Sequence, residues 1–173
     1  SDFFIMTKNI AILGSTGSIG TNALRVIESL GPGYKVTAIS CNSKTDLLVE
    51  QIRKFKPKYA AVTQSAFADE VRKMVADTDT RILSGNQSLI ELAQLDEVDI
   101  VITAVVGSIG LASTLAAAEK GKTLAIANKE PLVMAGELLM KTADTNGSKI
   151  LPVDSEHSAI FQCMQAGRRD EVN

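Results

Sequence analysis

The hydrophobic residues of this chain come in short blocks separated by amphipathic stretches. Apolar runs of about five residues alternate with helix-like stretches of about ten, a rhythm typical of βα units. Helices are predicted, for example, at residues 21–30 and 66–76. The pattern predicts an α/β fold: a Rossmann-like, doubly wound, mostly parallel sheet with helices on both faces. The strand candidates are NIAIL (9–13), KVTAIS (35–40), YAAVT (59–63), RIL (81–83), DIVITAV (99–105), TLAIA (123–127) and KILPV (149–153).

Residues 100–118, IVITAVVGSIGLASTLAAA, carry no charge and approach the length of a membrane span. β-branched residues dominate the first part and helix formers the last, and glycines and hydroxyl residues interrupt the run. This order favours a buried parallel strand that turns into a helix, so no membrane association is expected.

The segment TGSIGTNAL (16–24) is echoed by VGSIGLASTL (106–115), and each follows an apolar strand. Two explanations are open. Tight strand-to-helix turns favour small residues in any protein, so the likeness can arise by chance. Alternatively, the two segments belong to a pseudo-symmetric pair of βαβ units.

Charge and cysteine content limit the functional classes. The 173 residues carry a formal charge of −2, and the basic side chains are scattered among acidic ones, so no nucleic-acid partner is expected. The cysteines, Cys41 and Cys163, lie far apart without a CxxC pair, which favours idle thiols in a reducing cytoplasm. The first residues do not form a secretory signal.

Three glycines follow the first predicted strand in the sequence GSTGSIG. Gly14 permits a tight exit from the strand, Gly17 lets a diphosphate approach the backbone, and Gly20 lets the following helix lie close to the sheet. The helix is expected to begin near Ser18, with its free N–H groups directed at the turn, where anions bind. No Gly-Lys-Ser/Thr follows, so the turn is not a P-loop. We therefore predict a dinucleotide site.

The residues after the second strand discriminate between cofactors. An acid that grips the ribose 2′-OH is typical of NAD sites, whereas Asn42, Ser43 and Lys44 stand here. A lysine, a hydroxyl and an amide suit a 2′-phosphate, so NADP(H) is favoured. The alternative is a polar turn whose helix is capped by Thr45 or Asp46.

Two polar clusters follow the last two predicted strands: NKE (128–130) and DSEH (154–157). In a parallel sheet both emerge at the same edge as the glycine turn, where open α/β sheets bind ligands. In an extended chain Asp154 and Glu156 lie on one side and can hold Mg²⁺ or Mn²⁺. Alternatively, Asp154 or Ser155 caps a helix. Lys129 and Glu130 also fit an ordinary ion pair.

Three segments in this order, GSTGSIG (14–20), AAAEKGKTLAIANKE (116–130) and LPVDSEHSAIFQ (151–162), resemble the 1-deoxy-D-xylulose 5-phosphate reductoisomerase family. These are NADPH-dependent enzymes of non-mevalonate isoprenoid biosynthesis. The resemblance covers residues 8–162. It implies a bacterial, cytoplasmic enzyme that isomerises and reduces 1-deoxy-D-xylulose 5-phosphate to 2-C-methyl-D-erythritol 4-phosphate.

The resemblance also implies roles for individual residues. Lys129 and Glu156 are the implied catalytic residues, and Lys129, Ser155 and Glu156 bind the phosphorylated sugar. Asp154 and Glu156 hold Mn²⁺ or Mg²⁺, with His157 in a supporting role. The implied cofactor-binding residues are Gly14, Thr16, Gly17, Ser18, Ile19, Asn42, Ser43, Lys44, Asn128 and Glu130.

The sequence departs from the family pattern in two short segments and in length. Many relatives have Gly-Lys/Arg-Asn where residues 42–44 stand, which leaves the individual 2′-phosphate contacts open. Pro131 replaces a frequent Ser or Thr and suits the first position of a helix.

Family members are longer than this chain: they continue into a catalytic domain that carries a third carboxylate ligand and a lid. They are also homodimers. We therefore expect a truncated chain: an NADPH-binding domain at 1–150 and the start of the catalytic domain at 151–173. On its own it is expected to bind NADPH without turnover. The alternatives are another NADP-dependent dehydrogenase domain or a noncatalytic NADP(H) sensor.

Overall fold

One parallel sheet with helices on both faces organises the computed structural model, which describes residues 6–127, 129–153, 160, 162, 164 and 165. The elements alternate as the hydrophobic pattern predicts. A single 3₁₀ turn, Ser65–Phe67, precedes the third helix. The elements are β1 (Lys8–Leu13), α1 (Ser18–Leu30), β2 (Tyr34–Cys41), α2 (Thr45–Phe55), β3 (Tyr59–Val62), α3 (Ala68–Met74), β4 (Arg81–Ser84), α4 (Gln87–Ala93), β5 (Ile100–Thr103), α5 (Gly107–Glu119), β6 (Thr123–Ile126), α6 (Glu130–Asn146) and β7 (Lys149–Pro152).

The strand order is β4-β3-β2-β1-β5-β6-β7, and every pair of neighbours is parallel. The chain winds outward from β1 to β4 in one direction and from β5 to β7 in the other. The Rossmann-like, doubly wound prediction is confirmed, and within the described residues the sheet is parallel throughout. The crevice between β1 and β5 is therefore the switch point, where such sheets bind ligands.

The two GSIG segments follow β1 and β5, the two strands that flank this switch point. A Cβ atom on Gly20 would lie 2.2 Å from the carbonyl oxygen of Gly14, and one on Gly110 would lie 2.2 Å from the carbonyl oxygen of Val105. Each helix thus lies against the turn that precedes it. Both segments thus follow strands that flank the switch point, as a pseudo-symmetric pair requires, but the carbonyl that each glycine approaches differs by one position in the aligned segments.

Alternate side chains of the central strand serve two hydrophobic cores. Ile10 and Ile12 belong to the core beneath α1, α2 and α3, whereas Ala11 and Leu13 belong to the core beneath α4, α5 and α6. All four are fully buried. Burying an isoleucine or leucine side chain contributes about 1.5–3 kcal/mol, so both faces stabilise the sheet.

The apolar run at 100–118 forms β5 and most of α5, as expected. Among the described residues, no helix combines the length and the apolar character that a membrane crossing requires.

The chain after the last strand also contributes to the first core. Ile160 and Met164 are 1% exposed and pack in the cluster that contains Val153. The Tyr34 hydroxyl donates a hydrogen bond of 3.2 Å to the carbonyl oxygen of Met164. Strand β7 spans position 150, where the sequence places a domain boundary; that boundary remains a prediction.

Candidate functional site

A cavity of about 370 Å³ opens at the carboxyl edge of the sheet, where β1, β2, β3 and β5 end. Of the predicted cofactor residues, Gly14, Thr16, Gly17 and Asn42 line it. The sequence reading missed other lining residues because nothing in their local pattern marks them. They include Ser40, Cys41, Thr63, Asn86, Val105 and Ile109.

The glycine turn has the geometry of an anion-binding strand-to-helix connection. Gly14 has a φ of +86°, which L side chains rarely adopt. Gly17 precedes the first residue of α1, Ser18, so the prediction of the helix start is confirmed. A Cβ on Gly17 would meet nothing closer than the Gly14 carbonyl oxygen at 3.8 Å. The backbone at Gly17 is therefore open to a ligand, and α1 presents its free N–H groups beside it.

Ser40, the penultimate residue of β2, fixes the start of this turn. Its hydroxyl accepts a 2.8 Å hydrogen bond from the N–H of Gly14, and its carbonyl oxygen accepts a 2.8 Å bond from the N–H of Ser15. Thr21 adds a bond from its hydroxyl to the Gly17 carbonyl oxygen at 2.7 Å. The turn is thus held by side chains on both sides of it.

Asn42, Ser43 and Lys44 form an exposed turn between β2 and α2. The Asn42 side-chain oxygen accepts a 2.7 Å hydrogen bond from the Thr63 hydroxyl, which orients its amide at the cavity. Lys44 occupies the N-cap position of α2, so the alternative with Thr45 or Asp46 as the cap is wrong. Lys44 is exposed, and neither it nor Ser43 lines the cavity.

Lys129 and Glu130 lie after β6 at the same edge. Both are exposed, Lys129 at the N-cap position and Glu130 as the first residue of α6. Pro131 is therefore the second helical residue, one position later than predicted. The Glu130 carboxylate accepts a 3.3 Å hydrogen bond from the N–H of Gly107, the first residue of α5. Asn128 lies outside the described residues.

The proposed metal-binding segment, Asp154, Ser155, Glu156 and His157, also lies outside the described residues. The residue before it, Val153, donates its N–H to the carbonyl oxygen of Ile126 at 2.9 Å and so continues alongside β6. The sheet order puts the end of β7 three interstrand spacings from β1, about 14 Å along one edge.

Cys41 lines the cavity but is only 2% exposed. Burial raises the pKa of its thiol to about 11. The thiol is therefore protonated at neutral pH and is not a nucleophile, in keeping with the prediction of an idle thiol. Cys163 lies outside the described residues.

Comparison with known proteins is consistent with this geometry. The sequence profile of the 1-deoxy-D-xylulose 5-phosphate reductoisomerase family matches residues 10–136. The chain is 49% identical, over 91% of its length, to the 1-deoxy-D-xylulose 5-phosphate reductoisomerase of Thermodesulfovibrio yellowstonii, and it spans 41% of that protein.

Solved structures give the same result. The Zymomonas mobilis 1-deoxy-D-xylulose 5-phosphate reductoisomerase in complex with NADPH is 36% identical, with a TM-score of 0.83 over 95% of this chain and 43% of that one. A DOX-P reductoisomerase in complex with NADPH, fosmidomycin and magnesium is 45% identical, with a TM-score of 0.82, and the match covers 90% of this chain and 38% of that one. The chain thus spans about four tenths of the proteins it matches.

Proposed function

Since the chain belongs to the 1-deoxy-D-xylulose 5-phosphate reductoisomerase family, we propose that it binds NADPH as the cofactor-binding part of such an enzyme. In this proposal residues 1–150 are the NADPH-binding domain and residues 151–173 begin the catalytic domain. The observation that carries the proposal is the cavity between β1 and β5, with the open backbone of Gly17 on one side and Asn42 on the other.

The described residues fit a dinucleotide. We propose that the diphosphate lies against Thr16, Gly17, Ser18 and Ile19, where the first turn of α1 supplies N–H donors. We assign Lys44, with Asn42 and Ser43, to the 2′-phosphate, because a lysine, a hydroxyl and an amide suit that group. Glu130 and Asn128 are assigned to the nicotinamide end, because β6 lies two strands from β1 on the opposite side from β2. Bound NADPH supplies the hydride for the reduction.

For the substrate and metal we propose the segments at the ends of β6 and β7. Lys129 binds the anionic sugar phosphate, with Ser155 as a second contact. Asp154 and Glu156 hold Mg²⁺ or Mn²⁺ together with a carboxylate from outside this chain. The cation, when bound, polarises the carbonyl and hydroxyl oxygens of 1-deoxy-D-xylulose 5-phosphate. The chain's contribution is to place Lys129 and the two acids at the edge that holds the cofactor.

The product of the whole protein is proposed to be 2-C-methyl-D-erythritol 4-phosphate, made in the cytoplasm by a homodimer. The isolated chain is proposed to lack turnover because a third carboxylate and a lid are assigned to segments outside it. The family membership and the NADPH-bound relative support this assignment over another NADP-dependent dehydrogenase or a noncatalytic sensor.

A binding titration tests the cofactor assignment. The chain should quench or enhance NADPH fluorescence saturably and bind NADH more weakly. Gly17→Val should abolish binding without unfolding the chain, because Gly17 has an extended backbone (φ −77°, ψ 176°) and room for a side chain. Gly136→Val, at an open position on α6, is the matched control and should bind normally. Equal binding by Gly17→Val would contradict the proposal.

An activity assay tests the proposed lack of turnover and the assignment of the substrate site. The chain, incubated with 1-deoxy-D-xylulose 5-phosphate, NADPH and Mg²⁺ or Mn²⁺, should not consume NADPH. A fall in NADPH absorbance at 340 nm would overturn the assignment of essential groups to segments outside the chain. In the complete protein, Lys129→Met should raise KM for the sugar phosphate and leave NADPH affinity unchanged.

A further inference from the structure

Gln51 on α2 is almost fully buried beneath the glycine turn. It is 5% exposed, and its partner Ser15 is fully buried. The Ser15 hydroxyl donates a 2.7 Å hydrogen bond to Gln51 Oε1, and Gln51 Nε2 donates a 2.9 Å bond to the Ser15 carbonyl oxygen. Because a carbonyl oxygen only accepts, Nε2 must face it, and this determines the orientation of the amide.

Ser15 lies between Gly14 and Thr16, both of which line the cavity. Its own side chain turns away from the cavity toward α2 and so anchors the turn from behind. The helix that carries Gln51 begins directly after residues 42–44, the turn assigned to the 2′-phosphate. Gln51 therefore bonds α2, the helix that follows the turn at 42–44, to the glycine turn, 36 residues earlier in the sequence.

We propose that Gln51 is a positioning residue that holds the glycine turn at a fixed separation from the turn at 42–44. The diphosphate and the 2′-phosphate of NADP(H) are then gripped together, and the preference for NADP(H) over NAD(H) depends on the Gln51–Ser15 pair. This inference rests on the proposed cofactor function.

Packing alone does not account for a glutamine at this position. Leu48 and Ile52, its neighbours on α2, are fully buried and supply the apolar contacts of that helix. Burying an amide is unfavourable unless it is hydrogen-bonded, so an apolar side chain would serve packing better. What the amide adds is one donor and one acceptor matched to a single residue of the turn.

The test compares two substitutions, each of which replaces a buried, hydrogen-bonded polar side chain with methionine, at opposite edges of the sheet. Gln51→Met removes both hydrogen bonds and retains the length of the side chain. Lys122→Met is the control, since Lys122 is also buried and its Nζ donates a 2.6 Å bond to the Leu95 carbonyl oxygen, but it precedes β6 at the amino edge. Affinities for NADPH and NADH are measured by fluorescence titration, and folding by circular dichroism.

We expect Gln51→Met, which loses both hydrogen bonds to Ser15, to raise the Kd for NADPH about tenfold. The ratio of the Kd for NADH to the Kd for NADPH should move toward unity. A general loss of protein stability does not produce such a change. Lys122→Met should lower the melting temperature and leave both Kd values and their ratio unchanged. Unaltered affinities and ratio in Gln51→Met would overturn the inference, whereas failure of the unsubstituted chain to bind NADPH would overturn the proposed function first.

Two further variants keep the test decisive if Gln51→Met does not fold. Gln51→Glu has the same shape but places an oxygen against the Ser15 carbonyl oxygen. It should therefore also weaken NADPH binding and reduce the preference for NADPH over NADH. Ser15→Ala removes only the hydroxyl and should have a smaller effect. If Gln51 acts through Ser15, substituting it in the Ser15→Ala background should raise the Kd by a smaller factor than in the unsubstituted chain; equal factors would contradict the inference.

Discussion

The carboxylate of Glu130 accepts a hydrogen bond from the N–H of Gly107, at 3.3 Å, and so joins the start of α6 to the start of α5. The first turn of α5 is pseudo-symmetric to the first turn of α1, where the cofactor diphosphate is proposed to bind. An anionic group thus faces both helix starts in the proposed complex. At α1 it comes from the ligand, and at α5 it comes from the protein itself.

We predict that Glu130→Gln lowers stability by about 0.5–1 kcal/mol, because a neutral amide interacts more weakly with a helix N-terminus. The loss should shrink at high salt, since the contact is exposed and screened. Urea unfolding at low and high ionic strength measures it. Glu137→Gln, an exposed substitution further along α6, should show neither effect, and equal losses for the two variants would contradict this role of Glu130.

How far the sequence could predict the fold is clear from particular elements. Ile10 and Ile12 alternate with Ala11 and Leu13, so the pattern of β1 alone indicates burial on two faces and a parallel sheet. The start of α1 at Ser18 followed from the glycine spacing. The helix cap after β2 did not, because Thr45 and Asp46 are favourable caps by type, whereas the backbone places Lys44 there.

The candidate site was predictable only where a local motif marks it. The glycine turn is such a motif, and its residues Gly14, Thr16 and Gly17 line the cavity. Ser40 and Gln51, which hold the turn, lie 26 and 36 residues from their partners and carry no local signal. They meet the turn because β2 pairs with β1 and α2 packs on β2, contacts that exist only in the folded chain.

Substituting alanine at Gly20 should be strongly destabilising, and the same should hold for Gly110. The new Cβ atom would lie 2.2 Å from a backbone carbonyl oxygen in each case, and neither turn can move without displacing a central strand. A cost of about 1–3 kcal/mol or more is expected from such overpacking. Gly136→Ala, with no atom within 4 Å, is the control and should be neutral or stabilising. Thermal unfolding measures all three, and a tolerated Gly20→Ala would contradict the close approach.

Stability should depend on the Cys41 thiol at alkaline pH. Burial raises its pKa from 9.0 to about 11 in the folded chain, so the folded state binds the proton more tightly than the unfolded state does. The associated stability is complete below pH 9 and is lost as the pH rises to 11, a decline on the order of 2 kcal/mol. Unfolding free energies from pH 8 to 11 should therefore fall less steeply in Cys41→Ala than in the unsubstituted chain. Parallel pH profiles for Cys41→Ala and the unsubstituted chain would contradict the buried, protonated thiol.

Residues beyond the last strand should stabilise the Rossmann-like fold itself. Met164 is 1% exposed, shares the core cluster of Val153 and Ile160, and accepts the Tyr34 hydrogen bond at its carbonyl oxygen. Met164→Ala should therefore cost about 2–4 kcal/mol, the range for a buried methionine whose site cannot fully collapse. Its neighbour Gln165 is exposed, so Gln165→Ala should change stability by less than about 0.5 kcal/mol. Urea unfolding distinguishes the two, and equal effects would mean that the segment after β7 does not belong to this core.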